Sequence, residues 1–218
     1  MQTKRVKNKK YVLLIVGILF ISLVFNVIVS KKNSDYQYRI GVVSYNNIEN
    51  IRNKNESNIE LLNSVIDVGV IDNMDLLKLY LYYRSISDSF INLWDEYSFY
   101  EVNTRSIIPN KKIETNKALI NDVNGNIEEY FKVILENEMK TNTEKYVITE
   151  DTLDKFYKMK ELSMDICDYY NNFCKSELDG ATDDDKKDKI IKKVYWVDML
   201  EGMNSINEKY NDIDFSIQ

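Results

Sequence analysis

The chain has 218 residues, 44% of them apolar, and a formal net charge of −6. Residues 1–30 hold five basic side chains and no acidic one, which leaves 24 basic and 35 acidic residues, a net −11, on residues 31–218. That balance rules out a basic nucleic-acid binder as the main reading, and the absence of histidine together with only two cysteines removes most metal-site and triad chemistries.

From Tyr11 to Ser30 the chain reads YVLLIVGILFISLVFNVIVS, twenty residues without a charge. At ~1.5 Å per residue such a helix spans the ~30 Å hydrocarbon layer. Lys4, Arg5, Lys7, Lys9 and Lys10 precede it, whereas Lys31, Lys32 and Arg39 on the far side are diluted by Asp35. The positive-inside rule therefore predicts a basic cytoplasmic tail over residues 1–10, a transmembrane helix over 11–30 and a C-terminal body outside the membrane. A cleaved secretory signal, giving a secreted protein, begins with the same pattern. Against it, the apolar run exceeds the ~7–15 residues of a signal core, and Ile28 and Ser30 match the small-x-small cleavage site poorly.

Ser22, Asn26 and Ser30 recur every four residues and so share one face of the membrane helix. Such a stripe can hydrogen-bond to a neighbouring helix at about 0.6–2 kcal/mol per bond. The plainer account has the serines bonding back to their own i−4 carbonyls and Asn26 reaching the headgroups.

Residues 31–45 read as a juxtamembrane stalk, because Tyr36, Tyr38, Ile40 and Val42 alternate with polar residues as in an extended segment. Beyond it, one proline and few glycines leave long helices little opposed. Five helical segments are expected in the body, residues 46–218. The first covers Asn46 to Val68. The second starts near Leu76, where Leu79, Tyr83, Ile86, Phe90, Leu93, Tyr97 and Tyr100 form a continuous 3-4 seam that needs a partner helix. The third covers Lys112 to Lys140, with Gly125 weakening its middle by ~1 kcal/mol. The fourth follows a Thr149 cap through Leu153, Phe156, Met159, Leu162, Ile166, Tyr169 and Phe173, and stops at Asp179-Gly180. The fifth follows Thr182-Asp183-Asp184-Asp185 as one helix carrying Ile190, Val194, Val197, Met203 and Ile206, and frays near Asn211. Short polar connections make neighbouring helices antiparallel, so the expected fold is all-α: one membrane helix followed by an up-and-down bundle of four or five long helices.

Cys167 and Cys174, seven residues apart on one helix, stand ~10.5 Å apart along its axis, beyond disulfide reach. The acidic run Asp179, Asp183, Asp184, Asp185 and Asp188 lacks the alternate ligands and distal Glu of a calcium loop, and a helix N-terminus already accounts for it. No metal and no cofactor is expected. Tyr80, Tyr82, Tyr157 and Tyr170 fall off the apolar seams and are the candidates for an exposed aromatic contact patch. Asn55-Glu56-Ser57 matches the N-glycosylation pattern at chance level, and 25 Asn against two Ala point to an AT-rich bacterial genome.

With about ten residues on the cytoplasmic side and no second apolar span, any inward message has to pass through a partner. The leading expectation is a non-catalytic, single-pass module that touches the lipid bilayer through residues 11–30 and binds another cell-envelope protein, with a homo-oligomer also open. A ligand-binding sensor subunit and a membrane-anchored enzyme working through carboxylates are the alternatives. A cavity between helices would favour the former and a cleft with paired acids the latter.

Overall fold

The computed structural model describes residues 2–103, 113 and 123–215. The fold is all-α: the described residues form six helices, α1 (Gln2–Val68), α2 (Asn73–Asn103), α3 (Val123–Thr141), α4 (Glu150–Glu177), α5 (Asp183–Lys192) and α6 (Tyr195–Glu208), with two three-residue strands, β1 (Val70–Asp72) and β2 (Lys145–Val147). The chain divides into two compact units, Met1–Arg39 and Ile40–Gln218.

In the first unit the backbone is helical throughout its described length. The large apolar side chains from Tyr11 to Val29 are 41–75% exposed among the described residues. This is the one helix among the described residues long and apolar enough to cross a membrane.

The second unit corrects the extended stalk. Residues 40–45 are helical, as are 31–39 in the first unit. Two-residue alternation over Tyr36 to Val42 is compatible with a helix once the next turns are added. Ile40, Ser44, Ile48, Ile51, Asn55, Asn58, Leu62 and Val65 follow at steps of three and four and are all buried, so tertiary packing selects the helical period. Gly41 permits a close approach here, since a Cβ at that position would lie 2.9 Å from Ile191 Cγ2.

Gly69, at φ +73°, ends α1 by turning the chain into β1. β1 pairs antiparallel with β2 in the register Val70↔Val147, Ile71↔Tyr146 and Asp72↔Lys145, and Ile71 points into the core at 1% exposure. Asn73 Nδ2 donates to Thr143 O at 2.8 Å, tying the α1–α2 and α3–α4 connections together. The α2 seam is buried from Leu76 to Tyr100. Its centre is aromatic: Tyr83 stacks on Phe131 of α3 at 5.9 Å, and Phe131 meets Phe156 of α4 edge-on at 5.9 Å. The third helix runs through Gly125 as expected, whereas Pro109, Ile120 and most of the stretch 112–122 lie outside the described residues.

Thr149 caps α4, its backbone N–H donating to Thr152 Oγ1 at 2.9 Å. Thr182 caps α5 by accepting from the Asp185 N–H at 3.3 Å. The single fifth helix is a second correction. It breaks between α5 and α6 at Val194, whose φ of 58° is left-handed. On an unbroken helix Ile191 and Trp196 would stand about 140° apart. The break lets both be buried, with Trp196 set edge-on against Tyr100 of α2 at 5.5 Å. Near Asn211 the chain leaves helix, yet Tyr210 and Phe215 are buried rather than frayed.

Candidate functional site

Two features carry chemistry that the packing alone does not explain, one in each unit. The first is the polar stripe of the apolar span. Ser22, Asn26 and Ser30 continue to Ser34 at the same four-residue spacing, and Leu23, Asn26, Val27, Ser30, Lys31, Ser34 and Asp35 line one shallow groove. Elsewhere the helical hydroxyls follow the plainer account of such residues: Ser57, Ser98, Thr141 and Ser205 each donate to the carbonyl four residues back, at 2.8–3.0 Å. Among the described residues Ser22, Asn26 and Ser30 have no such bond, nor do Lys31 and Asp35 form an ion pair.

The second feature joins α1 to α4. Glu49, Arg52 and Glu56 lie on one face of α1, and Cys167, Tyr170 and Cys174 on one face of α4, because both sets step by three or four. Tyr170 Oη donates to Glu49 Oε1, and the Arg52 guanidinium lies 5.2 Å from the centre of the Tyr170 ring. Arg52 also pairs with Glu49 at 3.5 Å and Glu56 at 3.4 Å, while Cys167 Sγ approaches Arg52 O at 3.9 Å. Burial, helped by the bond to the Glu49 carboxylate, raises the Tyr170 phenol well above its usual range. Burial and the nearby Glu56 push the Cys167 thiol up to about 12, and burial raises that of Cys174. For Arg52, burial lowers proton affinity, but Glu49 and Glu56 outweigh it and the net shift is upward. Burial of Tyr170 and Cys167 and the carboxylates beside Arg52 hold these three protons more firmly than water does, and the charged and hydrogen-bonded side chains clasp α1 to α4.

The four tyrosines considered as a contact patch differ in exposure and placement. Tyr170 corrects the expectation of exposure: it is 9% exposed and bound into the clasp. Tyr157 is exposed. Tyr80 and Tyr82 are half-buried and stand about 200° apart around α2. Tyr80 accepts from Arg84 at 3.4 Å, and Tyr82 carries Lys54 Nζ 4.6 Å from its ring centre. Both cysteines are free. The acidic run caps α5 and pairs with lysines, as in Asp183–Lys186 at 3.3 Å, and among the described residues no group of three or more His, Cys, Asp or Glu could hold a metal. Asn55 of the glycosylation pattern is buried and donates to Ile51 O at 2.8 Å, so the folded chain offers it to no glycan.

Sequence reasoning missed a groove of about 620 Å³ between α3 and the C-terminal segment, walled by Asn126, Glu129, Tyr130, Val133 and residues 211–215. Ile213 and Phe215, apolar residues in a segment expected to fray, were the available signal. No protein-family model, curated protein or solved structure matches this chain.

Proposed function

We propose that this protein is a single-pass, membrane-anchored helical module whose body lies outside the cytoplasmic membrane and binds another protein of the cell envelope. The observation that carries the reading is the apolar sleeve from Tyr11 to Val29: among the described residues none of that span is buried, and apolar side chains 41–75% exposed over five turns suit a lipid surrounding. The five basic residues before the span, against Lys31, Lys32 and Arg39 after it, favour an N-terminus inside and a body outside.

For the body, an up-and-down bundle is supported by contacts that run in opposite directions along neighbouring helices. Asn50 of α1 meets Ser85 and Ser89 of α2 at 2.8 Å, while the β1–β2 pairing closes the same end of both hairpins. A bundle clasped in this way offers a rigid surface, and confinement to a membrane lets modest contacts suffice for binding. Alkaline-carbonate extraction and protease treatment of intact cells test the reading together. The expected result is a chain that stays in the membrane pellet and loses its C-terminal body to external protease. Recovery of the intact chain in the soluble fraction would overturn it.

The groove beside Tyr130 favours a second reading, a sensor subunit that takes a small ligand against α3. A panel of small molecules that never shifts the melting temperature of the protein, or shifts it equally in Phe215→Ala, would rule that reading out.

A further inference from the structure

We propose that the anchor pairs with the anchor of a second copy of this chain, side by side and parallel, through the groove that Asn26, Ser30 and Ser34 cut into α1. The inference rests on the membrane reading above and names the partner of the span. Every copy inserted by the same basic flank enters the bilayer in the same direction, so two copies meet in parallel about a two-fold axis along the membrane normal.

That symmetry asks for a self-complementary face, and this face has one. The Asn26 amide both donates and accepts, so two copies satisfy each other across the axis where no water competes. Ser22, Ser30 and Ser34 on either side of the amide add little bulk, which lets two backbones approach and favours a right-handed crossing of about −40°. Leu23 and Val27, one position on from Ser22 and Asn26, form a ridge beside the groove, so the ridge of one copy fits the groove of the other. At the outer end Lys31 and Asp35 have opposite signs, lie one turn apart and form no ion pair within the chain among the described residues. The two-fold brings Lys31 of each copy to Asp35 of the other, which gives two reciprocal pairs where the helices leave the hydrocarbon. An unrelated helix would have to supply this pattern independently, whereas a second copy carries it by construction.

The test uses full-length chains carrying donor or acceptor dyes at the N-terminus, reconstituted into phosphatidylcholine vesicles, with pairing read as energy transfer upon lipid dilution. Asn26→Leu should pair about tenfold more weakly, while Ile28→Ala, about 200° around the helix, should match the wild type. Lys31→Asp and Asp35→Lys chains should each pair poorly with themselves and regain transfer when mixed, a rescue that a nonspecific loss of folding does not give. Wild-type transfer in Asn26→Leu would assign any association to the body and overturn the proposal. A chain that floats with the vesicles yet shows only random transfer would overturn pairing and leave the anchor standing, whereas a chain that fails to float would overturn both.

Discussion

Asn58 lies on the inner seam of α1 at 0% exposure, and neither its Nδ2 nor its Oδ1 has a hydrogen-bond partner among the described residues. A buried amide left unpaired costs ~1–3 kcal/mol, and an apolar residue of similar volume removes that cost. Asn58→Leu is therefore expected to stabilise the protein by about 1–2 kcal/mol, read as a higher melting temperature by circular dichroism. A lower one would mean that the amide is paired in solution. The thiols and phenols of the core make a second prediction. Burial raises Cys167 from a usual value of 9.0 to about 12, and burial also raises Tyr83 and Tyr170. In the unfolded chain the same groups ionise at their ordinary values. The stability that comes from keeping Cys167 neutral is thus fully present below pH 9 and is lost as pH climbs toward 12. Equilibrium unfolding by urea should show a midpoint that falls steeply above pH 9, and Cys167 should resist alkylation at pH 8 until the chain is denatured. Rapid labelling of Cys167 in the native protein would contradict the burial on which both expectations stand.

At the scale of elements, α6 docks on α4 through a contact that only glycine permits. A Cβ on Gly202 would sit 2.1 Å from the Tyr169 ring, and the Tyr169 hydroxyl is held by a 2.9 Å bond to Asp198 O, so the ring cannot swing away freely. Gly202→Ala should destabilise the body by about 1–3 kcal/mol despite its better helix propensity, and Gly202→Ala with Tyr169→Ala should recover part of the loss in the same urea titration. The elements legible in the sequence were those with a long repeating period: eight apolar residues from Leu76 to Tyr100 leave α2 no other reading, and the Thr149 and Thr182 caps mark α4 and α5 by local chemistry. What escaped was decided at a distance. The three-residue strands are too short to show a period. The α1 turns from Tyr36 to Val42 alternate like a strand until Ile48 and Ile51 are added, and nothing around Val194 signals a break, since the left-handed residue is a β-branched one chosen by the packing of Trp196. The site was legible to a similar degree. The spacing of Ser22, Asn26 and Ser30 places them on one face, whereas Tyr170 could not be assigned to the interior without knowing that Glu49 and Arg52 lie opposite.

For the whole molecule, the proposed function depends on which side of a bilayer receives the acidic body, and the flanking charge difference proposed to set that side is small enough to reverse. Five basic residues precede the span, and Lys31, Lys32 and Arg39 follow it within ten residues. Orientation follows the excess of Lys and Arg in the short flanks, while acidic residues contribute little. Replacing Lys4, Arg5, Lys7, Lys9 and Lys10 by glutamine leaves all remaining flanking positive charge on the body side. The variant should still enter the membrane, because its apolar span is untouched, but a large share of molecules should now hold the body in the cytoplasm. Protease added to intact cells measures this directly: the wild-type body is expected to be degraded and a substantial fraction of the variant body to survive until the membrane is permeabilised. Any envelope partner captured by the wild type should be lost in proportion to the inverted fraction, since a partner outside cannot meet a body inside. Equal digestion of the two chains would mean that the body is translocated regardless of flanking charge, and the assignment of the outer face would then have to rest on evidence other than the basic tail.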